Sequence, residues 1–258
     1  MSFRPCIDIH NGKVKQIVGA TLSEDSREAT ENFVSEKDAA SYALLYKKDG
    51  LKGGHVILLN KAGAEGFEET KAAAVSALKA YPGGLQIGGG INEDNALFYL
   101  EAGASHVIVT SYVFSDGKIN YERLQSLSDK VGKNRLVLDL SCRKKGDDYF
   151  IVTDRWTKFT EETVSLELLE KLYTYCDEFL IHAADVEGKC NGVEEKLVRI
   201  LAGWNKCPMT YAGGITSFED IKLIESLGEG NLSYTIGSAL DIFGGQLSYD
   251  KVVKESRI

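Results

Sequence analysis

Gln86-Ile-Gly-Gly-Gly-Ile91 and Thr210-Tyr-Ala-Gly-Gly-Ile215 are two copies of one pattern, a short apolar strand that ends in glycines. One strand after each copy comes a second matched pair, Val107-Ile-Val-Thr-Ser111 and Tyr234-Thr-Ile-Gly-Ser238. Upstream, Ala62-Gly-Ala-Glu-Gly66 matches Ala184-Asp-Val-Glu-Gly188, and Cys6-Ile-Asp-Ile9 matches Val137-Leu-Asp-Leu140. These matched units keep the same order at a spacing of about 125 residues, far longer than the unit of a solenoid. The chain therefore reads as two four-strand halves related by a pseudo-twofold axis.

Outward from these motifs the same alternation continues. Strand-like runs fall at Phe3 to Ile9, His55 to Leu59, Leu85 to Ile87, His106 to Thr110, Leu136 to Leu140, Glu178 to His182, Met209 to Tyr211 and Ser233 to Ile236. They are short and nearly continuously apolar, as strands buried on both faces should be. Helical patterns lie between them: Glu36 to Lys48, Glu68 to Ala80, Glu93 to Ala102, Tyr121 to Lys130, Ser165 to Tyr175, Val193 to Ala202 and Ser217 to Ser226. Strand-helix alternation implies a parallel sheet, and eight units imply closure. The expectation is α/β: a (β/α)8 TIM barrel built from two repeated (β/α)4 half-barrels. It forms one domain over residues 1–258, since no Pro-, Ser- or charge-rich linker divides the chain.

Composition narrows the function. The formal net charge is −8, which argues against a broad nucleic-acid-binding face. No apolar run is long enough to span a bilayer, so no membrane partner is expected. The cysteines, Cys6, Cys142, Cys176, Cys190 and Cys207, are irregularly spaced and read as reduced thiols in the cytoplasm. His10, His55, His106 and His182 fall on separate segments without metal-ligand spacing, so no zinc site is expected. The chain is read as a monomer acting on a small molecule.

In a barrel the chemistry sits at the C-terminal ends of the strands, and phosphate sites favour the loops after strands 7 and 8. Gly213-Gly214 and Gly237-Ser238 lie there. Glycine lets backbone N–H groups turn outward beside a helix N-terminus. The repeat supplies a second cradle from Gly89, Gly90, Thr110 and Ser111. Gly53-Gly54, Gly83-Gly84 and Gly244-Gly245 read only as turns. Each half also carries an aspartate near a strand end, Asp8 and Asp139, which should face each other across the mouth. Two carboxylates between two phosphate cradles call for a ligand with a phosphate at each end and its reacting atoms in the middle. The pair can work as acid and base if one is protonated and the other ionised. The long charged insertion Arg143 to Trp156, with Tyr149 to Thr153 as half of a hairpin, is a candidate lid. Two readings of Trp156 stay open, stacking on a flat heteroaromatic ligand or packing the loop on the barrel. His182 should face the mouth, either hydrogen-bonding the ligand or supporting a group that does.

Pro5-Cys-Ile-Asp8-Ile with Asn11-Gly-Lys-Val14, the Gly-Gly-Gly-Ile91 motif, Val137-Leu-Asp139, Tyr211-Ala-Gly-Gly-Ile-Thr216 and Ile236-Gly-Ser-Ala-Leu240 closely resemble the ProFAR isomerases of histidine biosynthesis. ProFAR is phosphoribosylformimino-aminoimidazole carboxamide ribotide, a bisphosphate, and the match covers essentially the whole chain. The resemblance implies an intramolecular aldose-to-ketose isomerisation, the Amadori rearrangement, without metal or organic cofactor. It implies that Asp8 is the general base for the C2′ proton and that Asp139 is the general acid that opens the ribose. It also implies that Trp156 stacks on the imidazole part. The chain departs from the family pattern at strand 2, which reads Leu58-Leu59-Asn60-Lys61 where the family has Val-Asp-Leu-Asp. Asn92 and Gln16 replace arginines, His182 replaces a threonine, and Thr110-Ser111 replaces Gly-Thr. These changes bear on the first-half phosphate site, where Lys13 and Lys61 could restore charge. The alternatives are the related cyclase of imidazole glycerol phosphate synthase, which shares the half-barrel repeat, and a non-catalytic phosphosugar-binding barrel.

Overall fold

The computed structural model describes residues 1–17, 31–188 and 192–256. All eight expected strands are present: β1 (Cys6–His10), β2 (Gly54–Leu58), β3 (Leu85–Gly88), β4 (Val107–Val109), β5 (Leu136–Asp139), β6 (Glu178–His182), β7 (Met209–Ala212) and β8 (Ser233–Thr235). Each pairs in parallel with the next. The ring closes where Phe3 bridges Tyr234: Arg4 N–H donates to the Tyr234 carbonyl at 2.8 Å, and Tyr234 N–H to that of Ser2 at 3.1 Å. Pro5, with no N–H to give, separates this bridge from β1 proper, so the expected strand from Phe3 is in two pieces.

Helices cover the outside: α1 (Ala39–Lys48), α2 (Phe67–Ala80), α3 (Ala96–Glu101), α4 (Tyr121–Val131), α5 (Leu166–Leu172), α6 (Glu195–Ala202), α7 (Phe218–Leu227) and α8 (Tyr249–Glu255). The first seven match the expected patterns to within a few residues. Side-chain caps set several of their starts, most fully at α7, where Ser217 and Asp220 form a reciprocal capping box. The sequence reading did not anticipate α8, whose seven residues are too few for a helical period to show against its neighbours. Among the described residues no helix is long and apolar enough to cross a membrane. Cys190 lies outside the described residues; Cys6, Cys142, Cys176 and Cys207 are free thiols.

Period-two alternation along the strands sorts residues into two cores. Outward-facing Ile7, Val56, Ile87, Val109, Leu138, Phe179 and Tyr211 pack in one buried cluster with Tyr46, Leu78, Leu127, Leu172, Leu201 and Ile224 of the helices. Inside the barrel, Ile108, Val137, Leu180 and Ala212 form a separate apolar layer with Ile57 against it. β3 contributes Gly88 to this layer, where any Cβ would stand 2.8 Å from Ile57 Cδ1 and 3.2 Å from Ile108 Cβ. Below the layer, Glu178 accepts from Gln86 Nε2 at 2.9 Å and Thr210 Oγ1 at 3.2 Å and is ion-paired to Arg4. Of these partners Arg4 matters most, because removing it would leave an uncompensated buried charge. Two residues above the apolar layer on each strand is the mouth, and that step places the site.

Two insertions rise around the mouth. After β1 the chain forms an antiparallel hairpin, Lys13–Ile17 with Glu31–Val34, that the sequence reading did not foresee. After β5 comes a three-stranded antiparallel sheet, Cys142–Lys145, Asp148–Thr153 and Lys158–Thr163. The expected lid at Arg143 to Trp156 is therefore longer than anticipated and continues to Thr163.

Candidate active site

The mouth encloses a cavity of about 510 Å³. Every residue proposed for the site lines it: Asp8, Asp139, Gly89, Gly90, Thr110, Ser111, Trp156, His182, Gly213, Gly214, Gly237 and Ser238. The strand period explains the convergence. On β6, Glu178 is at the floor, Leu180 in the apolar layer and His182 at the mouth; Val137 and Asp139 take the same two upper levels on β5. Asp8 lies within β1 rather than at its end, because β1 runs on into the hairpin that pairs Ile9 with Val14.

The two aspartates sit in different environments. Asp139 accepts from Ser141 Oγ at 2.8 Å and from Thr110 Oγ1 at 3.2 Å, and its Oδ1 is 3.3 Å from His182 Nδ1. Burial opposes its ionisation, but the His182 charge and these hydrogen bonds outweigh burial and hold it below the usual carboxylate range. Among the described residues, Asp8 has one side-chain hydrogen bond, a long one from Gln16 Nε2 at 3.4 Å. Burial and the nearby Glu187 carboxylate lift it to about 7, against the pull of His182 and Gln16. Burial disfavours a charge on His182, yet Asp139, Glu187 and Asp8 together raise it to about 9. His55, whose ring lies edge-on to His182 at 6.1 Å, is driven by burial and the His182 charge to about 3 and is neutral.

The glycine pairs adopt matching backbones: φ is +94° and +72° at Gly89 and Gly90, and +117° and +76° at Gly213 and Gly214. L side chains rarely take such values, which accounts for glycine at all four positions. After the fourth strand of each half comes a short 3-10 helix, Ser111–Val113 and Asp241–Phe243. Thr110, expected in the first cradle, directs its hydroxyl at Asp139 instead. Gln16, assigned by sequence to the first-half phosphate site, stands at the second: a Cβ on Gly237 would meet its Oε1 at 2.5 Å. Lys61 lines the cavity, whereas Lys13 is exposed on the hairpin and does not.

The tip of the β5 insertion reaches over the mouth. Asp154, Arg155 and Trp156 have φ of 50°, 58° and 66°, consecutive non-glycine residues in the left-handed region at a cost of roughly 1–2 kcal/mol each. Contacts hold this turn. Asp154 N–H donates to Ser111 Oγ at 3.1 Å, Arg155 Nη2 to the Leu59 carbonyl at 3.1 Å, and Thr157 Oγ1 to the Asp154 carbonyl at 2.7 Å. Trp156 thereby lies 5.9 Å, ring centre to ring centre, from His182 and lines the cavity. Sequence reasoning missed Glu187, whose Oε2 would be 3.4 Å from a Cβ on Gly213, and Arg155. Glu187 was visible as the residue before Gly188 in the repeat; its partner in the first half, Glu65, is exposed.

Fold and site together define a (β/α)8 barrel of duplicated halves, with two unlike carboxylates between two glycine cradles at its C-terminal mouth. A family model described as histidine biosynthesis protein matches residues 3–247, and the chain belongs to that family. It is 57% identical over 257 residues to a chloroplastic 1-(5-phosphoribosyl)-5-((5-phosphoribosylamino)methylideneamino)imidazole-4-carboxamide isomerase of Medicago truncatula, covering 98% of this chain and 81% of that protein. It is 48% identical to the isomerase of the same name from Neurospora crassa (95% and 93% covered) and 47% identical to that from Yarrowia lipolytica (94% and 92% covered).

Proposed function

We propose that this chain is the isomerase its relatives are named for, converting ProFAR to its phosphoribulosyl isomer in histidine biosynthesis by an Amadori rearrangement. The observation that carries the mechanism is the unlike pair of aspartates in one cavity between two glycine cradles. Each cradle takes one phosphate, and the sugar attached to the formimino nitrogen lies between the carboxylates. On the Asp139 side a proton passes to the ring oxygen as the C1′–O bond breaks, and the nitrogen lone pair forms the C1′=N iminium. Asp8, poised near neutrality, then removes the C2′ proton, and that electron pair forms the enaminol C1′=C2′ bond while the nitrogen regains its lone pair. Return of a proton to C1′ and loss of the enol proton give the ketose, with no net proton change. A base whose pKa lies close to the working pH combines availability with proton affinity. Trp156 covers the imidazole part.

We read the protein as a monomer in the cytoplasm. A reducing compartment is supported by the free thiols of Cys6, Cys142 and Cys176, which are buried. The deciding assay offers purified protein ProFAR, phosphoribosylanthranilate, and the isomerised product with ammonium. Turnover of ProFAR is expected. Consumption of the product with ammonium, with ProFAR untouched, would establish the cyclase instead; binding of all three without turnover would establish a phosphosugar-binding barrel.

A further inference from the structure

Resting on the isomerase reading, one question remains: where the proton that opens the ribose is stored. Asp139 is surrounded by donors, from Ser141, Thr110 and His182, so its carboxylate already accepts hydrogen bonds at both oxygens. A protonated carboxyl there would require the Ser141 or Thr110 hydroxyl to turn round and accept instead of donate. His182 is the other member of the pair. It is the last residue of β6, its side chain is 14% exposed, and its ring lines the cavity beside Trp156. Nδ1 engages Asp139, and among the described residues Nε2 has no hydrogen-bond partner. The groups facing this ring are Asp139 from β5, Asp8 from β1, Glu187 from the loop after β6, and neutral His55 from β2. With carboxylates supplied by three separate segments, an imidazolium is the species this pocket accommodates.

We propose that His182 is the catalytic acid: its Nε2–H passes to the ribose ring oxygen as the C1′–O bond breaks, while Asp139 stays ionised and holds the ring by Nδ1–H. Asp139 is then a positioning residue. The neutral imidazole left behind accepts the enol proton when the ketone forms, which restores the imidazolium and closes the cycle. His55 cannot substitute, because it is buried and neutral.

The test measures kcat, KM and their pH profiles on ProFAR for wild type, His182→Gln and His182→Ala, the last with and without added imidazole. Expected are a fall in kcat of roughly 100-fold or more with KM within a few-fold, loss of an alkaline limb that should lie near 9 in wild type, and partial rescue of His182→Ala by imidazole. NMR titration of the wild-type ring, needing no variant, should find it protonated past pH 8. The proposal is overturned if His182→Gln keeps kcat within threefold, if its alkaline limb stays in place, if imidazole leaves His182→Ala unrescued although that variant retains the wild-type melting temperature, or if the wild-type ring is neutral at pH 8. A wild type that leaves ProFAR untouched defeats the isomerase reading itself, whereas an active wild type with indifferent His182 variants defeats this inference alone.

Discussion

Asp8 and Asp139 are the same residue of a duplicated half-barrel, yet their surroundings drive them apart. Asp139 is fed by three side-chain donors and stays ionised, whereas Asp8 faces a glutamate, has one long hydrogen bond and rises to about 7. Both are equally a consequence of the strand period. What separates them is contributed by neighbours: Ser141, Thr110 and His182 around one, Gln16 and Glu187 around the other. Duplication thus supplies two carboxylates in register, and substitution around them turns the pair into a base and an acid station.

The largest break of that comparison is to remove either carboxylate. Asp8→Asn and Asp139→Asn should each lower kcat by roughly 100- to 10,000-fold, with ligand affinity nearly unchanged by isothermal titration. Turnover kept within tenfold in Asp8→Asn would remove the base assignment. The cradles offer a second break, because their tight glycine differs. A Cβ on Gly89 would stand 2.1 Å from the Leu58 carbonyl oxygen, and one on Gly214 would stand 2.0 Å from that of Gly192, while Gly90 faces open space. Gly89→Ala and Gly214→Ala should therefore raise KM at least tenfold and lower the melting temperature. Gly90→Ala pays only the left-handed backbone, roughly 1–2 kcal/mol. Equal losses at Gly89 and Gly90 would contradict the packing described.

Next in size are the effects of pH. Asp8 as base predicts a kcat/KM limb that rises through about 7. Glu187→Gln removes a charge that lifts Asp8, so this limb should move to lower pH; a limb that stays put would show that Glu187 does not act on Asp8. Stability carries the same signature with its sign fixed by linkage. The folded value of Asp8 lies above the ordinary 3.8, so its ionisation opposes folding; the cost is absent at lower pH and complete above about 7. Asp139 is depressed in the fold, so it stabilises above 3.8 and loses that contribution as pH falls through its folded value. At pH 8, Asp8→Asn should melt above wild type and Asp139→Asn below it, each kcal/mol being worth about 2–4 °C in a domain of this size. By pH 4 the gain in Asp8→Asn should have largely vanished in differential scanning fluorimetry.

Strands and repeats were legible because burial on both faces writes a continuous apolar run, and positive φ at Gly89, Gly90, Gly213 and Gly214 favours glycine over any L side chain. The aspartates were legible through the repeat. What could not be read was anything set by contacts between distant segments. Glu187 looks like an ordinary loop acid until the barrel brings it beside Asp8, and Gln16 reaches the second half only because the β1 hairpin folds back over the mouth. The partner of Glu178 at the barrel floor, Arg4, is 174 residues away in the chain, and no local pattern announces it.

The smallest effect concerns the lid, and it again sets one half against the other. Ser111 and Ser238 are equivalent in the repeat, but Ser111 Oγ accepts from Asp154 N–H and so ties the strained turn carrying Trp156 to the first-half cradle. A single hydrogen bond of this kind contributes about 0.5–1.5 kcal/mol net, and the left-handed backbone of Asp154, Arg155 and Trp156 works against it. Ser111→Ala should therefore loosen the tip as well as remove a hydroxyl from the cradle, while Ser238→Ala removes a hydroxyl alone. If each serine contributes alike to its phosphate, Ser111→Ala should carry an additional rise in KM of a few-fold, together with a change in Trp156 fluorescence in the ligand-free protein, the other indole, Trp204, being buried in the core. Identical KM values and identical emission in the two variants would mean that the lid closes on the ligand without help from Ser111.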